Sequence, residues 1–104
     1  MKRFILYSEL KHEKVEEYAE LHRNAWPEIC KIISECNIRD YSISLMGNKV
    51  FTIYKYVGED YDADMKKMET YPIMHEWWSH TKPCFVNHDT EKYYDDLDEV
   101  FYLE

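Results

Sequence analysis

An α+β fold, one antiparallel sheet with its helices on a single face, is predicted by three features of this 104-residue chain. Short runs rich in β-branched and aromatic residues alternate with segments of helical periodicity, in the order β-α-β-β-α-β. The two middle runs are joined by a stretch of turn chemistry, which makes them a hairpin. With 45% hydrophobic and 33% charged residues, the chain has apolar material for one compact core and is too short for two, so a single domain over 1–104 is expected.

Residues Lys2 to Glu9 mix β-branched and aromatic types and read as the first strand. Val15, Tyr18, Ala19 and His22 then recur at helical spacing, with a helix starting near Glu13. Pro27 has no backbone N–H, so a bend or a new start falls there, and a second stripe of Ile29, Ile32, Ile33 and Cys36 follows. One long kinked helix or two abutting ones satisfy this pattern, and Asn37, tolerant of the left-handed conformation, closes it.

Tyr41, Ile43 and Leu45 alternate with Ser42 and Ser44, and Met46-Gly47-Asn48-Lys49 turns the chain into Val50 to Tyr56. Asp60 or Asp62 is positioned to cap a helix carrying Met65, Met68 and Tyr71 inward, which Pro72 stops. Met74 to Thr81 reads as a further short helix, Pro83 to Asp98 as a partly ordered loop, and Val100 to Leu103 as a short closing strand. This is a ferredoxin-like βαββαβ unit. Its sheet face away from the helices is rich in aromatic and aliphatic groups. With ten tyrosines and an apolar C-terminal run, that favours a homodimer in which two sheets pack face to face.

Composition removes several functions. The only glycines are Gly47 and Gly58, so no G-x-G-x-x-G fingerprint or phosphate loop can be written. A net charge of -8 argues against a nucleic-acid partner. No apolar run approaches the roughly 20 residues needed to cross a bilayer, so neither a membrane anchor nor a signal peptide is expected. Cys30, Cys36 and Cys84 form no C-x-x-C pair, which suits buried thiols in a reducing, cytoplasmic compartment.

Two metal motifs fail on inspection. In His75-Glu76-Trp77-Trp78-Ser79-His80 the imidazoles are five residues apart, about 140° around a helix, and cannot share a metal from one face. Asp60-x-Asp62-x-Asp64 begins like a calcium loop, but Met65 stands where glycine is needed and Tyr71 where the closing glutamate belongs. No serine lies in a G-x-S-x-G elbow, and no cysteine has a neighbouring histidine in sequence. No metal site is expected.

Tyr18, His22 and Trp26, at i, i+4 and i+8, drift slowly around one side of the first helix and form the first constellation with chemistry. An imidazole of pKa about 6.5 exchanges protons near neutrality, and a phenol can hold an oxygen in place. The alternative is a half-buried helix face on which His22 bonds a backbone carbonyl. Trp77 and Trp78 point about 100° apart, so at least one indole is available to line a groove where a sugar ring can stack; the alternative is a pair that anchors the helix on the sheet. Tyr41 supplies another phenol or a cross-strand aromatic pair.

Tyr18-x-x-x-His22-x-x-x-Trp26-Pro27-Glu28, Tyr41-Ser42-Ile43, Trp77-Trp78 and Glu99-Val100-Phe101-Tyr102-Leu103-Glu104 together resemble the L-rhamnose mutarotase family over nearly the whole chain. The resemblance implies a small cytosolic homodimer with a dimeric α+β barrel fold. It also implies interconversion of the α and β anomers of L-rhamnose without a cofactor. Carried over by position, His22 is the catalytic proton donor, and Tyr18, Tyr41, Trp77 and Trp78 contact the sugar.

The chain also departs from the family pattern. Its hairpin turn is short, Lys55 stands where an acidic residue is common, and Lys82-Pro83-Cys84-Phe85 replaces a methionine-containing stretch. These differences leave the sugar open among related monosaccharides. Two other readings share the same residues: a non-catalytic sugar-binding or regulatory protein, and, from fold analogy alone, a cofactor-independent oxygenase.

Overall fold

The computed structural model describes residues 1–88 and 93–104. Strand β1 (Lys2–Glu9) leads through a 3₁₀ turn, His12–Lys14, into α1 (Val15–Arg23) and α2 (Pro27–Glu35). The hairpin β2 (Ile38–Met46) and β3 (Lys49–Tyr56) follows, then α3 (Tyr61–Met68), α4 (Pro72–Thr81), a 3₁₀ turn at Lys82–Cys84, and a two-residue strand β4 (Asp95–Asp96). The sheet order is β2-β3-β1-β4, and every pairing is antiparallel.

The register explains the two faces. Phe4, Leu6 and Ser8 on β1 lie opposite Tyr54, Thr52 and Val50 on β3, and this set faces the helices. Ile29 and Ile32 of α2, Met68 of α3, and Met74 and Trp77 of α4 pack onto it in one cluster with Ile38, Tyr54 and Tyr56. Burying each such aliphatic side chain contributes about 1.5–3 kcal/mol. A second cluster of Leu10, Tyr18, Val50, Cys84 and Phe85 lies under α1.

The choice between one kinked helix and two is settled by Pro27. Asn24 closes α1 with its N–H on the Glu20 carbonyl, and Trp26 is extended at φ -66°, ψ 132°, as a residue before proline must be. Pro27 is then the first residue of α2, where a missing N–H costs nothing. Trp26 is therefore on the joint and not on the helix of Tyr18 and His22. Pro72 acts the same way: beyond following the end of α3, it opens α4 two residues earlier than the periodicity alone indicated. Asn37 closes α2 at φ +67°, and the Asp60 side chain caps α3 on the Ala63 N–H at 3.1 Å.

The C-terminal end differs from expectation. Asp95 and Asp96 take the free edge of β1, opposite Tyr7 and Leu6, and Val100 to Leu103 form no strand. Once that edge is filled, the apolar tail has little of its own chain to cover it: Val100 is 93% and Leu103 79% exposed. Tyr102 is held against the Arg3 guanidinium, which also pairs with Glu99 at 2.8 Å. Within the segment read as a loop, the 3₁₀ turn and a bridge from Leu10 to Phe85 are ordered, and residues 89–92 lie outside the described residues.

Candidate active site

The candidate site lies in the cleft between α1, α2, α4 and the β2 side of the sheet. His22 occupies the last turn of α1, with Nδ1 2.8 Å from the Tyr18 carbonyl oxygen. A carbonyl only accepts, so Nδ1 carries the hydrogen, and in the neutral ring Nε2 is the nitrogen with a free lone pair. The carbonyl bond expected of a purely structural histidine thus also leaves a base with one defined atom. Burial pulls its pKa below the usual 6.5, partly opposed by the Tyr18 carbonyl, so the neutral form dominates at pH 7.

His22 lines a cavity of about 460 Å³ together with Tyr41, Trp77, Ile33, Arg39 and Asp40, a size within the range of small-molecule sites. The Trp77 ring stands edge-on to His22 at 5.3 Å and to Trp26 at 5.1 Å, so Trp26 braces the indole that faces the histidine. The Tyr18 ring lies 4.2 Å from the imidazole. A second opening of about 350 Å³, lined by Tyr18, Ala19, His22 and Ile43 among others, also reaches the histidine.

Tyr41 reaches this cleft through a bulge. From the Ile38–Tyr56 pair to the Ile43–Thr52 pair, β2 advances five residues while β3 advances four. Asp40 and Tyr41 therefore both lie opposite Tyr54. Strict alternation from Ile38, which faces the helices, would send 41, 43 and 45 to the far side; the extra residue returns them to the helix side. Asp40 absorbs the distortion at φ +51°, a left-handed conformation that costs an ordinary residue roughly 1–2 kcal/mol. The Tyr41 ring stacks on Tyr54 at 5.5 Å with 13° between planes.

The phenols are held un-ionised. Desolvation of the Tyr41 phenol in the cleft, then the Tyr61 phenol, pushes its pKa up to about 12. Burial likewise raises Tyr18, with Tyr94 and Tyr41 adding to it. These hydroxyls donate and accept hydrogen bonds near neutrality and do not act as phenolate bases.

Of the five residues singled out in the sequence, the structure sets His22, Tyr41 and Trp77 around one cavity, and Tyr18 lines the second opening, which shares His22 with it. Trp78 does not line the cavity. Its ring packs against His75 at 5.3 Å and under the Lys82 ammonium at 4.8 Å. Tyr54, Tyr61 and Tyr94 adjoin these side chains without having stood out in the sequence. Tyr54 and Tyr61 share a 2.8 Å hydroxyl contact behind Tyr41. Tyr54 was readable from the alternation of β3, whereas Tyr94 sits in a segment with no periodic signal. Among the described residues no group of three His, Cys, Asp or Glu side chains could hold a metal. His75 turns to the Glu69 carbonyl while His80 lies against Trp26, as their spacing requires.

The family model for L-rhamnose mutarotase matches residues 3–103. The chain belongs to the L-rhamnose mutarotase family. The L-rhamnose mutarotase of Phocaeicola vulgatus is 33% identical over 107 aligned positions spanning all of both chains. That of Flavobacterium johnsoniae is 32% identical over 91, covering 85% of this chain and 82% of the relative. The crystal structure of L-rhamnose mutarotase from Formosa agariphila superimposes over all of both chains with a TM-score of 0.77 at 22% identity. Tetracenomycin F2 cyclase from Streptomyces glaucescens, a type-II polyketide cyclase, does so at 0.68 and 9% identity. At these identities the two structures speak for the fold alone. Lys55 pairs with Asp40 at 3.1 Å, and the Lys82 ammonium lies over the Trp78 ring at 4.8 Å.

Proposed function

We propose that this chain interconverts the α and β anomers of L-rhamnose, or of a closely related monosaccharide, by acid/base ring opening at His22. One observation carries the reading: a histidine with Nδ1 fixed on a carbonyl lines a cavity walled by an indole and a phenol. Nε2 takes the proton of the anomeric hydroxyl, the bond from the anomeric carbon to the ring oxygen breaks, and a C=O double bond forms in its place. The ring oxygen keeps the bonding pair and receives the proton from the imidazolium. Both oxygens are bonded to one carbon, so a single imidazole serves as base and then as the proton donor expected of His22. Rotation of the open aldehyde and the reverse sequence deliver the other anomer.

Trp77 supplies the stacking wall for the sugar's C–H face, and Tyr18 and Tyr41 hold hydroxyls. Trp78, covered by Lys82, contributes at the margin. Only protons move, so the reaction asks for no cofactor. We further propose a homodimer formed through the sheet face away from the helices. A cytoplasmic location is supported by the free thiols Cys30, Cys36 and Cys84.

Saturation transfer between the anomeric protons of L-rhamnose and related aldoses tests the reading. Exchange well above the spontaneous rate is expected with wild type, and His22→Gln should lose about 10²-fold or more of it. Sugar binding without faster exchange would instead select the non-catalytic binding protein.

A further inference from the structure

We propose that the bulge at Asp40–Tyr41, clamped by the Lys55–Asp40 ion pair, is a positioning device that holds the Tyr41 hydroxyl at the sugar, making Asp40 and Lys55 positioning residues. The inference rests on the mutarotase reading and deepens it.

Three observations converge on the bulge. The parity of the hairpin requires one extra residue between Ile38 and Ile43, and without it Tyr41 would lie on the far face of the sheet. The extra residue is accommodated at φ +51° by an aspartate, with no glycine to make that conformation free. Such a distortion persists only when its surroundings hold it, and here two side chains, Arg39 and Lys55, do. Arg39 Nη1 donates to the Ser34 and Ile38 carbonyls at 2.7 and 2.9 Å, tying the strand before the bulge to the end of α2. Lys55 Nζ, on the neighbouring strand, reaches the Asp40 carboxylate at 3.1 Å.

Placement gives the clamp its functional sense. Asp40 and Arg39 line the same cavity as His22 and Tyr41, while Tyr54 backs the Tyr41 ring from beneath. The clamp touches no reacting atom in the proposed mechanism. It fixes which way a substrate contact points, through a pair that joins the bulge to the adjacent strand.

A double-mutant cycle with exchange kinetics tests this. Lys55→Met is expected to raise KM by about three- to tenfold, the worth of one neutral hydrogen bond, with kcat within about twofold, and Asp40→Gly should raise KM by a similar factor. Lys55→Arg should retain the wild-type KM. Because the clamp acts through Tyr41, Lys55→Met should add nothing further once Tyr41 is alanine. If Lys55→Met fails to fold, Asp40→Gly carries the test, since glycine adopts the left-handed conformation freely. An unchanged KM in the clamp variants, or effects of Lys55→Met and Tyr41→Ala that simply add, overturns the inference. A wild type that enhances exchange for no aldose overturns the mutarotase reading, and the inference falls with it.

Discussion

With Nδ1 of His22 committed to the Tyr18 carbonyl, proton transfer in the proposed mechanism runs through Nε2 alone, and the rate follows the neutral fraction of the ring. Burial lowers the pKa below 6.5, so exchange should be flat across pH 7 to 8 and fall only on the acid side, at a midpoint below 6.5. Saturation transfer against pH reads this limb directly, and a midpoint above 6.5 would contradict the burial argument. The two indoles separate in the same assay. Trp77 is 6% exposed and touches both His22 and Trp26, so Trp77→Phe should weaken sugar binding and lower the melting temperature. Trp78→Phe, outside the cavity, should do clearly less of either. This difference was not legible in the sequence, because a helical pattern says that adjacent side chains diverge without saying which one meets the histidine.

At the scale of elements, the junction of β3 with α3 is held by a polar network that the sequence announced only at Asp60. Tyr56 Oη donates to the Asp64 carboxylate, Asn37 Nδ2 donates to the same oxygen at 3.0 Å, and the Asp60 N–H reaches Tyr56 Oη at 3.0 Å. Gly58 is required there by space: a Cβ would clash with the Tyr56 phenol, which the Asp64 and Asp60 bonds hold in place. Gly58→Ala should destabilise by about 1–3 kcal/mol, read from denaturant unfolding. The bonds from Tyr56 and Asn37 hold the Asp64 pKa below 3.8 in the folded chain. That stabilisation is present above the unfolded value and lost as pH falls through the folded one. The melting-temperature gap between wild type and Asp64→Asn should therefore narrow below pH 3.8. Strand β1 was legible from its run of β-branched and aromatic residues, and the hairpin turn and the stops at Pro27 and Asn37 because single residues dictate them. The bulge at Asp40 was not, since no glycine marks it, and β4 was not, since Asp95 and Asp96 carry no alternation.

At the scale of the whole molecule, the helices account for one face of the sheet and leave the other to be covered. By register that face carries Ile5 opposite Ile53 and Tyr7 opposite Phe51, with Leu97 hydrogen-bonded to Ile5 at the β4 edge. Phe101 and Leu103 are exposed, and neither belongs to a core cluster among the described residues. Two copies packed through this face would hide both sets, yet each copy brings a charge of -8, so long-range repulsion opposes what apolar burial favours. Salt decides between these terms, because it screens charge over a Debye length of about 10 Å at 0.1 M and leaves the apolar contact intact. Light scattering should give a mass twice that of the 12.8 kDa chain, with dissociation on dilution becoming harder as salt rises. Ile53→Lys places a charge in the middle of the face and should yield a monomer that keeps its secondary structure. A wild type that stays monomeric at every salt concentration would remove the proposed dimer and leave the apolar tail without an explanation.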